Sequence, residues 1–318
     1  MSDKPIPPTL RTWLQLLRAP NLFTVPGDPL AGFLLVTAGR IDARLLLAIG
    51  ASLCLYCHGL LLNDLADMEE DRRERPNRPL PSGAARPAVV LGIAVILALL
   101  ALLFCSIINL DSLVVGLALL ISILVYNRWC KKVPILGPIN MGLCRGLSIL
   151  LGAAAGTLDI FSPTGGLIRI WSALMPLAIV AAIGTTLYIA AVTHLARIET
   201  LANPPKLPRT LPYIFLVFVI GGFFFSAIDR TQLLRYNNIW LYLVAAYTLY
   251  AGYKIHQRLT HEPPPPIPPM IGQLIRLLLP LQAIFCLASR SNAGALSAAA
   301  LLILWPISRN VSRRFYAS

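Results

Sequence analysis

Ten apolar runs succeed one another along the chain, near residues 22–39, 43–63, 87–108, 112–127, 134–157, 171–192, 211–228, 237–253, 273–289 and 294–308. A helix that crosses the hydrocarbon of a bilayer needs ~20 mostly apolar residues and satisfies its backbone polar groups internally. Between these runs there is no polar stretch long enough to be a soluble domain, so lipid is the solvent for most of the chain. Composition agrees. Charged residues make up 13%, against roughly 25% in soluble domains. Mean hydropathy is +0.71. The expected fold is all-α and integral to the membrane, a multi-helix bundle formed by one domain over residues 1–318. Several runs contain Pro or Gly, which membrane helices tolerate. The last two runs have the weakest claim to be separate spans, so the expected count is nine to ten.

Basic residues favour ten. With the N-terminus inside and ten spans, 19 of the 27 Lys and Arg residues lie in inside segments and six outside. Arg145 and Arg276 fall within runs. Cytoplasmic loops carry the excess of Lys and Arg, and nine spans would put the basic tail outside. The chain is therefore expected to be multi-pass in the cell's inner (plasma) membrane, with the long loops 64–86 and 193–210 cytoplasmic and forming the polar site. This bias explains the net charge of +13, and the spans exclude a nucleic-acid partner. The six cysteines lie mostly in or beside apolar runs and read as small buried apolar residues. The first residues show no signal-peptide pattern. The Pro-rich stretch 261–270, HEPPPPIPPM, is expected to be non-helical, a stiff spacer.

Acidic residues are scarce, yet six of the 14 fall within eleven positions directly after the second run: Asp64, Asp67, Glu69, Glu70, Asp71 and Glu74. Asn63, Asp67 and Asp71 are spaced by four and would form one stripe on a continuing helix. Hard oxygen ligands at that spacing suit Mg²⁺, which keeps several waters and bridges to phosphate oxygens. Arg72, Arg73, Arg75 and Arg78 follow, and Arg gives bidentate contact to phosphate. The other reading is a solvated, charge-mixed loop.

The run 63–83, NDLADMEEDRRERPNRPLPSG, resembles the first Asp-rich motif of the UbiA prenyltransferase superfamily, N-D-x-x-D-x-x-x-D followed by R-x-x-R-P-L-x-S-G. Three flanking stretches are similar to family features. LLRAPNLFTVP (16–26) resembles the opening of the first helix. Tyr126 with Lys131 and Lys132 resembles the aromatic–basic cluster after the fourth. NMGLCRGLSILLG (140–152) resembles the Gly-rich fifth. The resemblance implies an intramembrane transferase. Such an enzyme ionises an isoprenyl diphosphate and joins its carbon to an aromatic or other lipophilic acceptor. It implies that Asn63, Asp67 and Asp71 hold Mg²⁺, with Asp67 and Asp71 catalytic. Arg75, Arg78 and Lys131 would contact the diphosphate, Arg18 and Asn21 would line the polar mouth, and Tyr126 would bind substrate. The prenyl chain would lie along an apolar wall continuous with membrane lipid.

The family's second Asp-rich motif has no counterpart here. Its place, 185–200, reads TTLYIAAVTHLARIET, with no Asp and one Glu. Thr186 and Thr193 fall where aspartates are expected. The V-T-x-x-A-R-x-E pattern and the M-G-x-C-R stretch at 141–145 are similar to a divergent, EboC-like subgroup. Two explanations compete. Arg197, with Lys206 or Arg209, supplies the charge of a second metal and is catalytic, with His194 at the substrate. Alternatively, ionisation is lost and the chain is a non-catalytic isoprenoid or lipid-phosphate binding or transport protein. A third, plainer reading makes 194–199 an ordinary helix-end charge cluster.

Two further features need weighing. Cys54–His58 matches the c-type haem attachment pattern but lies within the second run, which excludes it. Arg145 lies near the middle of the fifth run, where a charge is costly and should face the interior. It is either a structural partner to a carbonyl or to Asp28, or a contact for substrate.

Overall fold

The computed structural model describes residues 9–157, 175–199, 201, 204–231, 239–263 and 265–315, with no strand among them. In chain order the elements are α1 (Leu10–Leu16), α2 (Ala19–Leu22), α3 (Gly27–Thr37), α4 (Ala43–Ala66), α5 (Met68–Glu74), α6 (Pro87–Ile108), α7 (Leu110–Arg128) and a 3₁₀ turn (Cys130–Lys132). They continue with α8 (Leu136–Gly156), α9 (Met175–Ala196), α10 (Lys206–Thr231), α11 (Ile239–Thr260), α12 (Ile267–Arg276), α13 (Leu278–Leu287) and α14 (Asn292–Phe315).

Among the described residues, eight segments are long and apolar enough to cross a bilayer: α4, α6, α7, α8, α9, Lys206–Ala227 of α10, α12 and α13 taken together, and Asn292–Ser312 of α14. The two other expected spans take different forms. The first is divided into α2, of four residues, and α3, of eleven, with Pro26 capping α3. The eighth is a continuous 22-residue helix, α11, whose last turns carry Lys254, His256, Gln257 and Arg258. The start of the sixth run, 171–174, lies outside the described residues.

The Pro-rich stretch needs a correction. Helix α12 begins at Ile267 and carries Pro268 and Pro269 in its first turn. Proline lacks only an N–H there, and the first N–H groups of a helix have no intrahelical partner in any case. The non-helical segment therefore ends at Pro266.

The interior is built around α8, which packs on α3, α4, α7 and α9. Its glycines permit this. A Cβ on Gly152 would collide with the carbonyl of Pro29 on α3, and one on Gly142 with the carbonyl of Thr186 on α9. Membrane helices use such small residues to bring backbones together. On the other side of the bundle, every residue of α13 is buried. By contrast, Ile96, Leu99 and Leu103 on α6 and Val114 and Ile121 on α7 are exposed, as lipid-facing side chains must be.

Hydrogen bonds define two ends of the bundle. At one, Asn109 Nδ2 donates to the Ala154 carbonyl at 3.0 Å and Arg44 Nη1 to the Thr157 carbonyl at 3.2 Å. At the other, α4 runs into α5 beside the 3₁₀ turn and the end of α9, and a small apolar cluster with Leu16, Leu61, Leu80 and Val90 anchors the loop after α5. The polar residues gather at this second end.

Candidate active site

One stripe of α4 supplies a cavity wall: Ser52, Leu55, Tyr56, Gly59, Leu60, Asn63 and, at its C-cap, Asp67. These positions recur every three or four residues and so share a helix face. From Ser52 to Asp67 the wall is ~22 Å long at 1.5 Å per residue. Tyr126 and Asn127 of α7, and Cys144, Arg145 and Ser148 of α8, complete a cavity of about 300 Å³. Its mouth is strongly polar, its middle is apolar with Leu55, Leu60, Leu119 and Ile123, and its floor is polar again.

The mouth forms because α4 does not stop cleanly. Asp67 caps α4 and starts α5, and the i to i+4 backbone bonds run on through the joint. Asp67 N donates to Asn63 O at 3.0 Å, Asp71 N to Asp67 O at 2.8 Å and Arg75 N to Asp71 O at 2.8 Å. The acidic stripe therefore stands on nearly continuous helix. Lys131 Nζ donates to Asn63 Oδ1 at 2.9 Å and also to Asp67 Oδ2, while Asn63 Nδ2 donates to Asp67 at 3.2 Å. Arg18, Arg75 and Arg78 line the same mouth.

Asp71 is placed differently from the other two members of the stripe. It is buried, Arg78 Nη1 donates to its Oδ2 at 2.7 Å, and it does not line the cavity. The reason is helical drift. Eight residues at 3.6 per turn leave Asp71 about 80° around the axis from Asn63. Its carboxylate holds Arg78, and Arg78 faces the cavity.

Arg18 sits in the left-handed region, φ 45°, between α1 and α2, and pairs with Asp64 at 3.4 Å. A non-glycine residue held there is strained and marks a site the surroundings must stabilise. Asn21 is buried in α2 and does not line the cavity, contrary to expectation. Tyr126 lines the cavity. His194 is half-buried in the last turn of α9 and does not reach the cavity.

Arg197 also lies outside the lining. Its Nη1 donates to the carbonyls of Lys131 at 3.1 Å and Val133 at 2.7 Å, and its Nη2 to that of Lys132 at 3.3 Å. A guanidinium so engaged points at backbone. The expectation that it faces the diphosphate is corrected accordingly.

At the floor, Arg145 meets both structural partners expected of it. Its Nε is 2.9 Å from Asp28 Oδ2 and its Nη2 donates to the Thr24 carbonyl at 2.8 Å. Gln282 of α13 donates to Asp28 Oδ1 at 2.6 Å and to the same carbonyl at 2.8 Å. Arg145 nonetheless remains part of the cavity wall, beside the hydrogen-bonded pair Ser52 and Ser148 at 2.7 Å. Sequence reasoning passed over this pair and Asn127. The one signal was small polar residues inside apolar runs, which in membrane helices face other helices.

The model of the UbiA prenyltransferase family matches residues 29–269, well over half of the chain. The chain belongs to the UbiA prenyltransferase family. It is a multi-pass membrane protein. It is 29% identical over 250 residues to a digeranylgeranylglyceryl phosphate synthase of Methanoculleus marisnigri, covering 73% of this chain and 79% of the relative. It is 30% identical over 148 residues to the protein of that name from Methanocaldococcus jannaschii, covering 46% of this chain and 52% of the relative. With the relatives from M. jannaschii and Sulfurisphaera tokodaii, the chain spans about half of their length. A solved UbiA homologue from Archaeoglobus fulgidus, bound to GPP and Mg²⁺, shares the fold at TM-score 0.61 and 17% identity, covering 91% of this chain and 99% of that one. A second, from Aeropyrum pernix K1, gives TM-score 0.62 at 14% identity over 84% of this chain and 97% of that one.

Among the described residues, the donors at the mouth could hold one divalent ion of the kind bound in solved UbiA homologues. Asn63 Oδ1 and Asp67 Oδ2 converge on a single cation, the Lys131 ammonium. Mg²⁺ needs only one or two carboxylates when waters and phosphate oxygens supply the rest. Among the described residues no three His, Cys, Asp or Glu side chains gather into a closed metal cage. At the second motif, Thr186 Oγ1 donates to the Ala182 carbonyl at 2.8 Å and packs where a Cβ on Gly146 would be. A hydroxyl wedged into the α8–α9 contact is not a metal ligand.

Proposed function

We propose that this chain is an intramembrane prenyltransferase that moves an isoprenyl group from its diphosphate to a lipophilic acceptor with the help of Mg²⁺. The observation that carries this reading is the shape of the cavity. Asn63, Asp67, Lys131, Arg75 and Arg78 meet at a mouth that opens onto an apolar channel within the bundle. An isoprenyl diphosphate has that same division, an anionic head on an apolar chain. The basic bias of the loops supports a cytoplasmic mouth in the plasma membrane.

Asn63 and Asp67 would hold Mg²⁺, which when bound neutralises diphosphate charge. The residues of this chain do the rest. Arg75, Arg78 and Lys131 receive the diphosphate oxygens as charge-assisted donors. The allylic C–O bond breaks with its electron pair leaving on the diphosphate oxygen. These cations favour that step because they meet charge that develops in the transition state. The apolar wall keeps water from the allylic carbocation until the acceptor's nucleophile bonds to it and gives up a proton. The names of the archaeal relatives support a glycerol phosphate lipid as acceptor class. The family resemblance supports an aromatic one.

The missing second motif keeps one other reading in play, a protein that binds isoprenyl or lipid phosphate without ionising it. Purified chain is to be assayed with labelled isoprenyl diphosphates and Mg²⁺, measuring diphosphate release with geranylgeranylglyceryl phosphate, with an aromatic acid, and without acceptor. Acceptor-dependent release supports the transferase. Tight binding without release at any chain length replaces it with the binding protein.

A further inference from the structure

Lys131 stands on a 3₁₀ turn of three residues, Cys130–Lys132. Such a turn is too short, and its hydrogen bonds too poor, to fix its own geometry. Support comes from outside it. Arg197, just past the end of α9, gathers the carbonyls of Lys131, Lys132 and Val133 on one guanidinium. Gly137, in the first turn of α8, leaves the space. A Cβ there would lie 2.9 Å from Arg197 Nη1 and 2.8 Å from the Cys130 carbonyl. The planar guanidinium reaches these carbonyls from two separate nitrogens held in a rigid fork, whereas an ammonium offers its three donors from a single point on a flexible stem. With its backbone held so, the flexible Lys131 side chain delivers Nζ to Asn63 and Asp67 across 68 and 64 residues of sequence.

We infer that Arg197 is a positioning residue that acts through Lys131. By clamping the 130–133 turn it stands the Lys131 ammonium at the cavity mouth as a single fixed charge for the diphosphate, in a chain whose 185–200 segment lacks the aspartates for a second metal. The inference rests on the prenyl-diphosphate reading of the mouth. It assigns Arg197 no contact with substrate.

The test is a double-mutant cycle on the full chain in detergent. Two quantities are read: affinity for geranylgeranyl thiolodiphosphate, an analogue that ionises slowly, by titration calorimetry with Mg²⁺, and diphosphate release from geranylgeranyl diphosphate. Arg197→Ala should weaken analogue binding about tenfold, the scale of one charged hydrogen bond, and slow release at least as much. Arg197→Lys should behave like Arg197→Ala, because it keeps the charge and loses the fork. Gly137→Ala disturbs the clamp without touching Arg197 and should act in the same direction, which covers an Arg197 variant that fails to fold. In a Lys131→Ala background, Arg197→Ala should change affinity by less than about twofold, since coupled residues are non-additive. Three results overturn the inference: full rescue by Arg197→Lys, an undiminished Arg197→Ala effect in the Lys131→Ala background, or wild-type behaviour of Arg197→Ala. Failure of the wild-type chain itself to bind the analogue overturns the prenyl-diphosphate reading and the inference together, and is distinguished because it precedes any substitution.

Discussion

Arg145 on α8 and Asp28 on α3 form an ion pair of 2.9 Å inside the bundle, with Asp28 wholly buried. Gln282 on α13 completes the Asp28 coordination, so the pair joins three helices, one of them the divided first span. A charge in lipid is tolerated when it faces the interior and is paired, and both conditions hold.

Removing one partner leaves the other charge uncompensated, which costs about 3–5 kcal/mol in a buried pair. Arg145→Ala is therefore expected to lower the thermal unfolding midpoint in detergent sharply. The double variant Asp28→Asn, Arg145→Gln should recover much of the loss. A double variant no better than Arg145→Ala would show that the guanidinium matters for more than its charge.

Asp67 and Asp71 should separate in their effects. Asp67→Ala removes an oxygen from the mouth and should abolish Mg²⁺-dependent binding of an isoprenyl diphosphate. Asp71→Ala frees Arg78 and should weaken binding less, about as much as Arg78→Ala. The two should not add when combined, because they act on one contact. Titration of the labelled diphosphate with and without Mg²⁺ reads all four proteins. Equal, total loss in Asp71→Ala would return Asp71 to the metal.

Orientation follows from loop charge and is checked by cysteine accessibility. Single cysteines at Arg40 and Leu110 should react with an impermeant thiol reagent from outside intact cells. Those at Arg75, Thr260 and Asn310 should react only from inside. Outside labelling at Asn310 would take one span from the count of ten.

A pH-dependent ion pair holds the start of the Pro-rich segment. Buried Arg209 donates to the Leu259 carbonyl at 3.0 Å and to Glu262 Oε1 at 2.9 Å. That hydrogen bond holds the Glu262 carboxyl below its usual 4.5. A depressed carboxylate stabilises the fold above its unfolded pKa, and the contribution disappears as pH falls through the folded value. Glu262→Gln should therefore lower the unfolding midpoint slightly at pH 7 and leave it unchanged well below pH 4. The carboxylate is exposed, so the effect is small.

Much of this protein was written in residue order. Apolar run length decided that the chain is a helical membrane bundle, because a bilayer admits only segments that satisfy their own backbone. The spacing of Asn63 and Asp67 on the end of α4 was enough to mark the mouth, since four residues is close to one helical turn. The tertiary structure decided what periodicity is blind to. It turned Asp71 onto Arg78, because angular drift accumulates over two turns and a buried carboxylate takes the nearest cation. It sent Arg197 to the carbonyls of the Lys131 turn, a contact between segments about 65 residues apart that no local pattern encodes. It started α12 at Ile267 despite Pro268 and Pro269, because whether proline breaks a helix depends on where the first turn falls. Side-chain identity set which groups were available, and the packing of α8 against α3, α4, α7 and α9 set which of them meet.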